Sequence, residues 1–295
     1  MTTALLTLPS HLLRLRRVQL SLLLITACLL ALTAHGWLTL TEPHQLTPLL
    51  LVFSAAFCCE YIDSSLGMGY GTSLIPLLLL AGFEPLQVVP CILLSELLTG
   101  IAATLMHHRD GNVDILGDRQ ARGVAGLLGL LSVLGAVVAV SFAVSISKQH
   151  LTLFIAGVIL LTGVITLLNA NKRLRFRLGH ILAIGTLAAF NKGVSGGGYG
   201  PLVTSGQVVS GISARKTVAI TSFSEALTCL VGLLAYMLLL EQINWSLALP
   251  LSAGALCSVP LATFTVRALK EQLLRRLVGS CSLALACLMI IKLFV

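Results

Sequence analysis

Apolar residues run along this chain in long stretches separated by short polar interruptions. The stretches cover about residues 18–40, 47–82, 86–107, 121–146, 151–170, 178–212, 214–240, 246–266 and 273–294. A helix of about 20 apolar residues crosses the hydrocarbon layer of a bilayer, so the pattern predicts an all-α polytopic membrane protein. Two stretches, 47–82 and 178–212, are too long for a single crossing. Each carries a glycine run in its middle, Gly67-Met68-Gly69-Tyr70-Gly71 and Gly196-Gly197-Gly198-Tyr199-Gly200. Each glycine disfavours helix by about 1 kcal/mol relative to alanine, so both stretches should be broken helices.

The two runs are copies. A glutamate follows each run by 25 residues, Glu96 and Glu225, and the offset between the copies is 129 throughout. At that offset Gly82 matches Gly211, Val89 matches Val218, Ser95 matches Ser224, and Leu98-Thr99 matches Leu227-Thr228. The expected organisation is an N-terminal transmembrane helix (1–46), a first repeat (47–170) and a second repeat (171–295). Internal repeats with interrupted helices mark solute sites in membrane chains.

Composition agrees with a membrane protein: 57% of residues are hydrophobic and 10% charged, with a mean hydropathy of +0.99, against roughly 25% charge in soluble domains. The net charge of +8 does not point to nucleic acid, because no basic run is interleaved with aromatics. The positive residues sit at the ends of apolar stretches, as orientation signals and contacts for anionic lipid. The first stretch follows Arg14, Arg16 and Arg17 and continues to Leu40, too long for a signal-peptide core, so an uncleaved span is expected. All eight cysteines fall in apolar stretches without C-x-x-C spacing and read as small buried hydrophobes rather than metal or redox centres.

Charge also separates two topologies. If the broken helices are re-entrant hairpins and the N-terminus is cytoplasmic, sixteen of the nineteen lysines and arginines face inward, leaving Lys148 and Lys292 outside and Lys192 at a hairpin tip. If both cross fully, Arg109, Arg119, Arg122, Lys172, Arg173, Arg175 and Arg177 all face outward. The positive-inside rule favours hairpins. The expected architecture is then two inverted repeats, about seven full spans plus two hairpins, with the C-terminus outside.

The hairpin tips are the candidate chemistry. Each return arm, about Thr72–Ala81 and Pro201–Val209, begins a half-helix whose free N–H groups carry partial positive charge. Two such ends facing one another are expected to form an anion site. The candidate substrate-binding residues are Ser64, Ser65, Gly67, Gly69, Tyr70, Gly71, Thr72, Lys192, Ser195, Gly196, Gly197, Gly198, Tyr199 and Gly200, with Ser73, Thr204 and Ser205 beside them. Glu96 and Glu225 lie mid-span, where a charged side chain costs about 2.5–3.5 kcal/mol on insertion scales; they read as proton carriers or ligands for a coupling cation, or else as neutral structural groups. Glu60 and Asp63 add carboxyls on the entering arm of the first hairpin, opposite Ala189 and Lys192 in the second repeat, and an Asp63–Lys192 pair is an expectation. His107 and His108 are expected to be solvated flank residues, and scattered Gly126, Gly129 and Gly135 to be helix-packing positions.

Two sharper motifs carry less. Gly193-Val194-Ser195-Gly196 has the G-x-S-G form of intramembrane serine hydrolases, but no histidine follows His180 to act as base. The Gly-Tyr-Gly in both runs is shared with potassium filters, whose parallel loops converge from one side, unlike opposed hairpins. No catalytic residue and no bound metal or other cofactor is expected.

The duplicated segments, Asp63-Ser64-Ser65-Leu66-Gly67-Met68-Gly69-Tyr70-Gly71 and Gly193-Val194-Ser195-Gly196-Gly197-Gly198-Tyr199-Gly200-Pro201, resemble the sulfite exporter TauE/SafE family, as does the loop Gly111-Asn112-Val113-Asp114. The resemblance covers about residues 50 to 290 and implies an inner-membrane permease for sulfite, sulfonates or related organic anions, coupled to protons. Protons, the small anion, the lipid bilayer and a second copy of the chain are the expected partners. The alternative is a cation or metal-ion carrier in which Glu60, Asp63, Glu96 and Glu225 line the route.

Overall fold

The structure, a computed structural model, describes residues 46–109, 111, 117, 119–169, 178–209, 214–240, 242–265 and 271–294. The predicted first span, the loop at 112–116 and the basic run at 172–177 lie outside the described residues. Ten helices and no strand occur among the described residues: α1 (Leu46–Leu66), α2 (Tyr70–Leu80), α3 (Pro85–Arg109), α4 (Arg119–Ser145), α5 (Lys148–Asn169), α6 (Leu178–Ser195), α7 (Tyr199–Val209), α8 (Ala214–Leu240), α9 (Trp245–Thr265) and α10 (Glu271–Phe294). Six, namely α1, α3, α4, α5, α8 and α9, are long and apolar enough to cross a membrane. The chain is a polytopic, all-helical membrane protein.

Both glycine runs break their helices as the sequence predicts, and in the same way. Gly67 and Gly196 end α1 and α6 with φ of 71°, a left-handed value that suits glycine. Each N–H closes a last turn on the carbonyl four residues back, Asp63 at 2.6 Å and Lys192 at 2.8 Å. Gly69 and Gly198 also have positive φ. The short helices then begin at Tyr70 and Tyr199, two residues earlier than expected, and end at Leu80 and Val209, so α2 and α7 superpose in sequence at the 129 offset. Pro201 falls in the first turn of α7, where no intrahelical donor is needed. α1 is longer than a half-helix arm: its 21 residues extend about 31 Å.

Packing exchanges between the copies. α1 lies along α9, and its counterpart α6 lies along α4; α4 packs on α8 as α9 packs on α3; α3 pairs with α8, and α5 with α10. Small residues permit the closest approaches. A Cβ on Gly254 of α9 would meet Phe53 Cα of α1 at 3.1 Å, and one on Gly193 of α6 would meet Ala139 Cβ of α4 at 2.6 Å. Gly135 serves the same contact, approaching the α6 backbone at Phe190 and Thr186. Gly126 does not, since nothing lies within 4 Å of its Cβ position.

The two breaks cross at the centre of the bundle. A Cβ on Gly71 would meet Gly197 Cα at 2.8 Å, and one on Gly200 would meet Met68 Cα at 2.7 Å. Tyr70, Gly71, Tyr199 and Gly200 are all buried. A side chain at either crossing point has only backbone to displace, and overpacking of this kind costs about 1–3 kcal/mol or more. Gly71→Val and Gly200→Val should therefore each lower the thermal midpoint of detergent-solubilised protein by several degrees, whereas Gly126→Ala should leave it unchanged or slightly higher.

Candidate functional site

Beneath the crossed breaks lies a cluster of buried charge. Lys192, in the last turn of α6, is 1% exposed, and its ammonium is held by two carboxylates. Nζ lies 2.7 Å from Glu225 Oε1 of α8 and in ion-pair contact with Glu96 Oε2 of α3. The two glutamates, equivalent in sequence, come from different repeats and close on one lysine because α3 and α8 pack side by side. Cys229, one turn beyond Glu225, borders Glu96.

Two more carboxyls stand within electrostatic reach. Glu60 on α1 is 2% exposed; its Oε1 accepts from Ser64 Oγ at 2.6 Å, while Oε2 has no partner. It feels Asp63, Glu96 and Glu225. Asp63 feels Lys192 and Glu225, and its Oδ1 accepts from Tyr70 N–H at 3.3 Å, capping the start of α2. The expected Asp63–Lys192 ion pair is not formed. Asp63 and Lys192 occupy equivalent positions in the two copies, and the lysine turns to the glutamates while the aspartate turns to the helix end.

The hydroxyls named from sequence are mostly committed to local structure. Ser65 Oγ donates to Tyr61 O, Thr72 Oγ1 to Gly69 O, and Ser195 Oγ to Asn191 O and Gly197 O while accepting from Gly197 N–H. Tyr70 OH bonds Ser95 Oγ at 2.7 Å; Tyr199 faces the equivalent Ser224, along with Thr228 and Ser132. Thr204 Oγ1 donates to Gly67 O at 2.8 Å, tying α7 to the opposite break. Gly196, Gly197 and Gly71 lie backbone to backbone, so the two helix ends pack on one another in this conformation rather than enclosing an open site.

Two further expectations change. His107 is not a solvated flank residue: it is fully buried, and its Nε2 lies 3.3 Å from Ser64 O at the end of α1. Lys192 is not a free positive charge awaiting an anion but is already shared by two carboxylates. The sequence reading also missed Asn191, Thr217, Thr221, Gln207 and Tyr236. Tyr236 OH donates to Gly193 O at 3.0 Å beside the break. Thr217, Thr221 and Glu225 stand at i, i+4 spacing on α8, a polar stripe legible in the sequence.

A shared buried ion cluster at the crossing of two broken helices, inside a bundle of membrane-length helices, is the architecture of a membrane transporter. The comparisons agree and give the family: residues 51–289 match sulfite exporter TauE/SafE, and the chain belongs to that family. It is 30% identical over 240 residues to the probable membrane transporter protein YtnM of Bacillus subtilis (strain 168), covering 78% of this chain and 79% of that one. It is 27% identical over 241 residues to the probable membrane transporter protein ORF9 of a Sinorhizobium species, covering 81% and 90%. No solved structure matches.

Removing one partner of a buried ion pair leaves an uncompensated charge and costs about 3–5 kcal/mol. Lys192→Met should accordingly lower thermal stability sharply, and adding Glu96→Gln and Glu225→Gln should recover much of the loss. Thermal unfolding of the purified single and triple variants measures both.

Proposed function

We propose that this transporter moves a small anion, of the sulfite or sulfonate kind that the family name suggests, together with protons. The observation that carries the reading is Lys192 clasped between Glu96 and Glu225. One ammonium balances one carboxylate, and excess charge is expensive in a low-dielectric interior, so the second carboxyl is balanced when it holds a proton. An incoming anion competes with the carboxylates for the same ammonium. Protonating the glutamates releases Lys192 to the anion, and losing the protons restores the clasp and expels it. Anion and proton then travel together. Lysine suits the exchange, being a compact charge on a flexible stem.

Alternating access needs the breaks to be re-entrant and the repeats inverted, and several contacts support this. Lys148 pairs with Glu84 at 2.6 Å, as expected if α3 and α4 both cross. Lys292 Nζ, near the end of α10, donates to Leu80 O at 2.7 Å beside them. With α5, α8, α9 and α10 each crossing once, Lys292 reaches that face only if segment 178–209 returns to the face it entered. In the first copy, Ser64 near the end of α1 meets His107 in the last turn of α3, whereas α2 ends at Leu80, close to where α3 begins. The distribution of lysine and arginine supports a cytoplasmic N-terminus. On this reading an impermeant thiol reagent should modify cysteines placed at 172–177 only from the cytoplasmic side; modification from outside would overturn the hairpin topology.

The cation-carrier reading has one observation in its favour, the excess of carboxyls: Glu96 and Glu225 hold one ammonium, with Asp63 and Glu60 in electrostatic reach of the cluster. Against it, no group of three or more His, Cys, Asp or Glu able to hold a metal occurs among the described residues.

Flux of a panel of small anions, sulfite and sulfonates included, into proteoliposomes under an imposed pH gradient tests the proposal. The wild type should accelerate one of them when the loading side is acidified. Glu96→Gln with Glu225→Gln should reduce that acceleration by roughly tenfold or more. Undiminished coupling in the double variant would remove the mechanism, and improved cation flux in Lys192→Glu would favour the carrier of cations.

A further inference from the structure

The two halves of the bundle, alike at the breaks, differ sharply on either side of them. In the second copy a line of polar side chains leads to Glu225. Thr217 and Thr221 precede it on one face of α8, and Gln207 and Thr204 face them from α7. Gln207 Nε2 donates to Thr221 Oγ1 at 3.1 Å, Thr221 Oγ1 lies 3.1 Å from Thr204 Oγ1, and Thr204 reaches Gly67 O. All four side chains are at most 2% exposed. At the 129 offset, their counterparts in the first copy are Val88, Ile92, Leu78 and Ile75. These are also buried, and they pack with Leu74 and Val89 into one apolar mass in front of Glu96.

The polar line is incompletely satisfied. Among the described residues, Gln207 Oε1 and Thr217 Oγ1 have no hydrogen-bond partner, and neither does Glu60 Oε2 in the charge cluster the line leads to. A buried amide or hydroxyl without a partner costs about 1–3 kcal/mol, and buried groups of this kind are normally met by water. Packing alone does not explain why one copy holds four polar residues where the other holds four aliphatic ones. The aliphatic set fills the equivalent space without that cost.

We propose that Thr217, Gln207, Thr221 and Thr204 form a hydrated route by which water and protons reach Glu225 and Lys192 from the end of the bundle where α8 begins. The matching path to Glu96 is sealed by Ile75, Leu78, Val88 and Ile92. One path to the charge cluster is polar and the other apolar. The hydroxyls and the amide each accept and donate, so they can hold a file of waters whose inner end faces the Glu225 carboxyl and whose outer end lies at Thr217, in the first turn of α8. A route lined by aliphatic groups offers a proton no such partners. The role given to the route rests on the transporter reading above, but the geometry does not.

Thiols react with a small impermeant methanethiosulfonate only where water reaches them, so labelling reads the route directly. Thr221→Cys and Ile92→Cys are equivalent substitutions in the two copies, as are Gln207→Cys and Leu78→Cys. Each would be labelled in membrane vesicles, from each side in turn, against the unsubstituted chain to subtract its own cysteines. Thr221→Cys and Gln207→Cys should react from the face where α8 begins roughly tenfold or more faster than their counterparts react from either face, since sealed positions need a local opening first. Equal rates in the two members of a pair, or no reaction at Thr221→Cys and Gln207→Cys, would overturn the proposal. Should Thr221→Cys fail to assemble, the Gln207→Cys and Leu78→Cys pair decides alone. Labelling needs no substrate: loss of anion flux with labelling as expected would sink the transport reading and leave the route standing.

Discussion

A single buried ammonium holds this molecule's two halves in register. Lys192 belongs to one copy by sequence, yet its partners come one from each. The lysine balances the carboxyls of Glu96 and Glu225, and they balance it. Such an arrangement stabilises little in net terms, since desolvation consumes most of the Coulombic gain. What it supplies is specificity of arrangement: α3, α6 and α8 are fixed relative to one another, because any slip strands a charge. The same property makes it a natural place for a reaction in which charge is exchanged.

Around this point the two copies match closely in their backbone and less closely in their side chains. The helix breaks, their left-handed glycines and the short helices beyond them repeat position by position. Tyr70 faces Ser95 as Tyr199 faces Ser224, but of these two pairs only the first is hydrogen-bonded. Asp63 and Lys192, by contrast, are equivalent residues of opposite charge, and Ile92 and Thr221 are equivalent residues of opposite polarity. Like backbones thus carry unlike side chains at equivalent positions.

Much of this was legible in the sequence, for reasons that are local. Four or five glycines in an apolar run break a helix whatever surrounds them, and a glutamate 25 residues further on in both copies stands out against a hydrocarbon background. The duplication fixed which residues correspond. The partners of each group were not legible, because they depend on how helices distant in sequence lie together. Nothing near Lys192 announces that its ammonium meets Glu96, far upstream, rather than Asp63, its own counterpart. His107 reads as the polar end of a span until α1 comes down beside it and covers its ring. The tips read as open donors until the two are seen pressed against each other. The stripe Thr217, Thr221, Glu225 was available to inspection at helical spacing, but its meaning emerges only beside the aliphatic residues that replace it in the other copy.

The crossing of the glycine runs has a consequence for how the two copies can diverge. At Gly71, against the backbone of Gly197, and at its equivalent Gly200, against the backbone of Met68, the opposite segment is the wall that forbids a side chain. A change at either glycine is therefore judged by the shape of the opposite segment. After a duplication most paired positions are free to go separate ways, as Ile92 and Thr221 have. Gly71 and Gly200 are held to one residue type by steric necessity, whereas Met68 and Gly197 beside them, equivalent to each other, already differ.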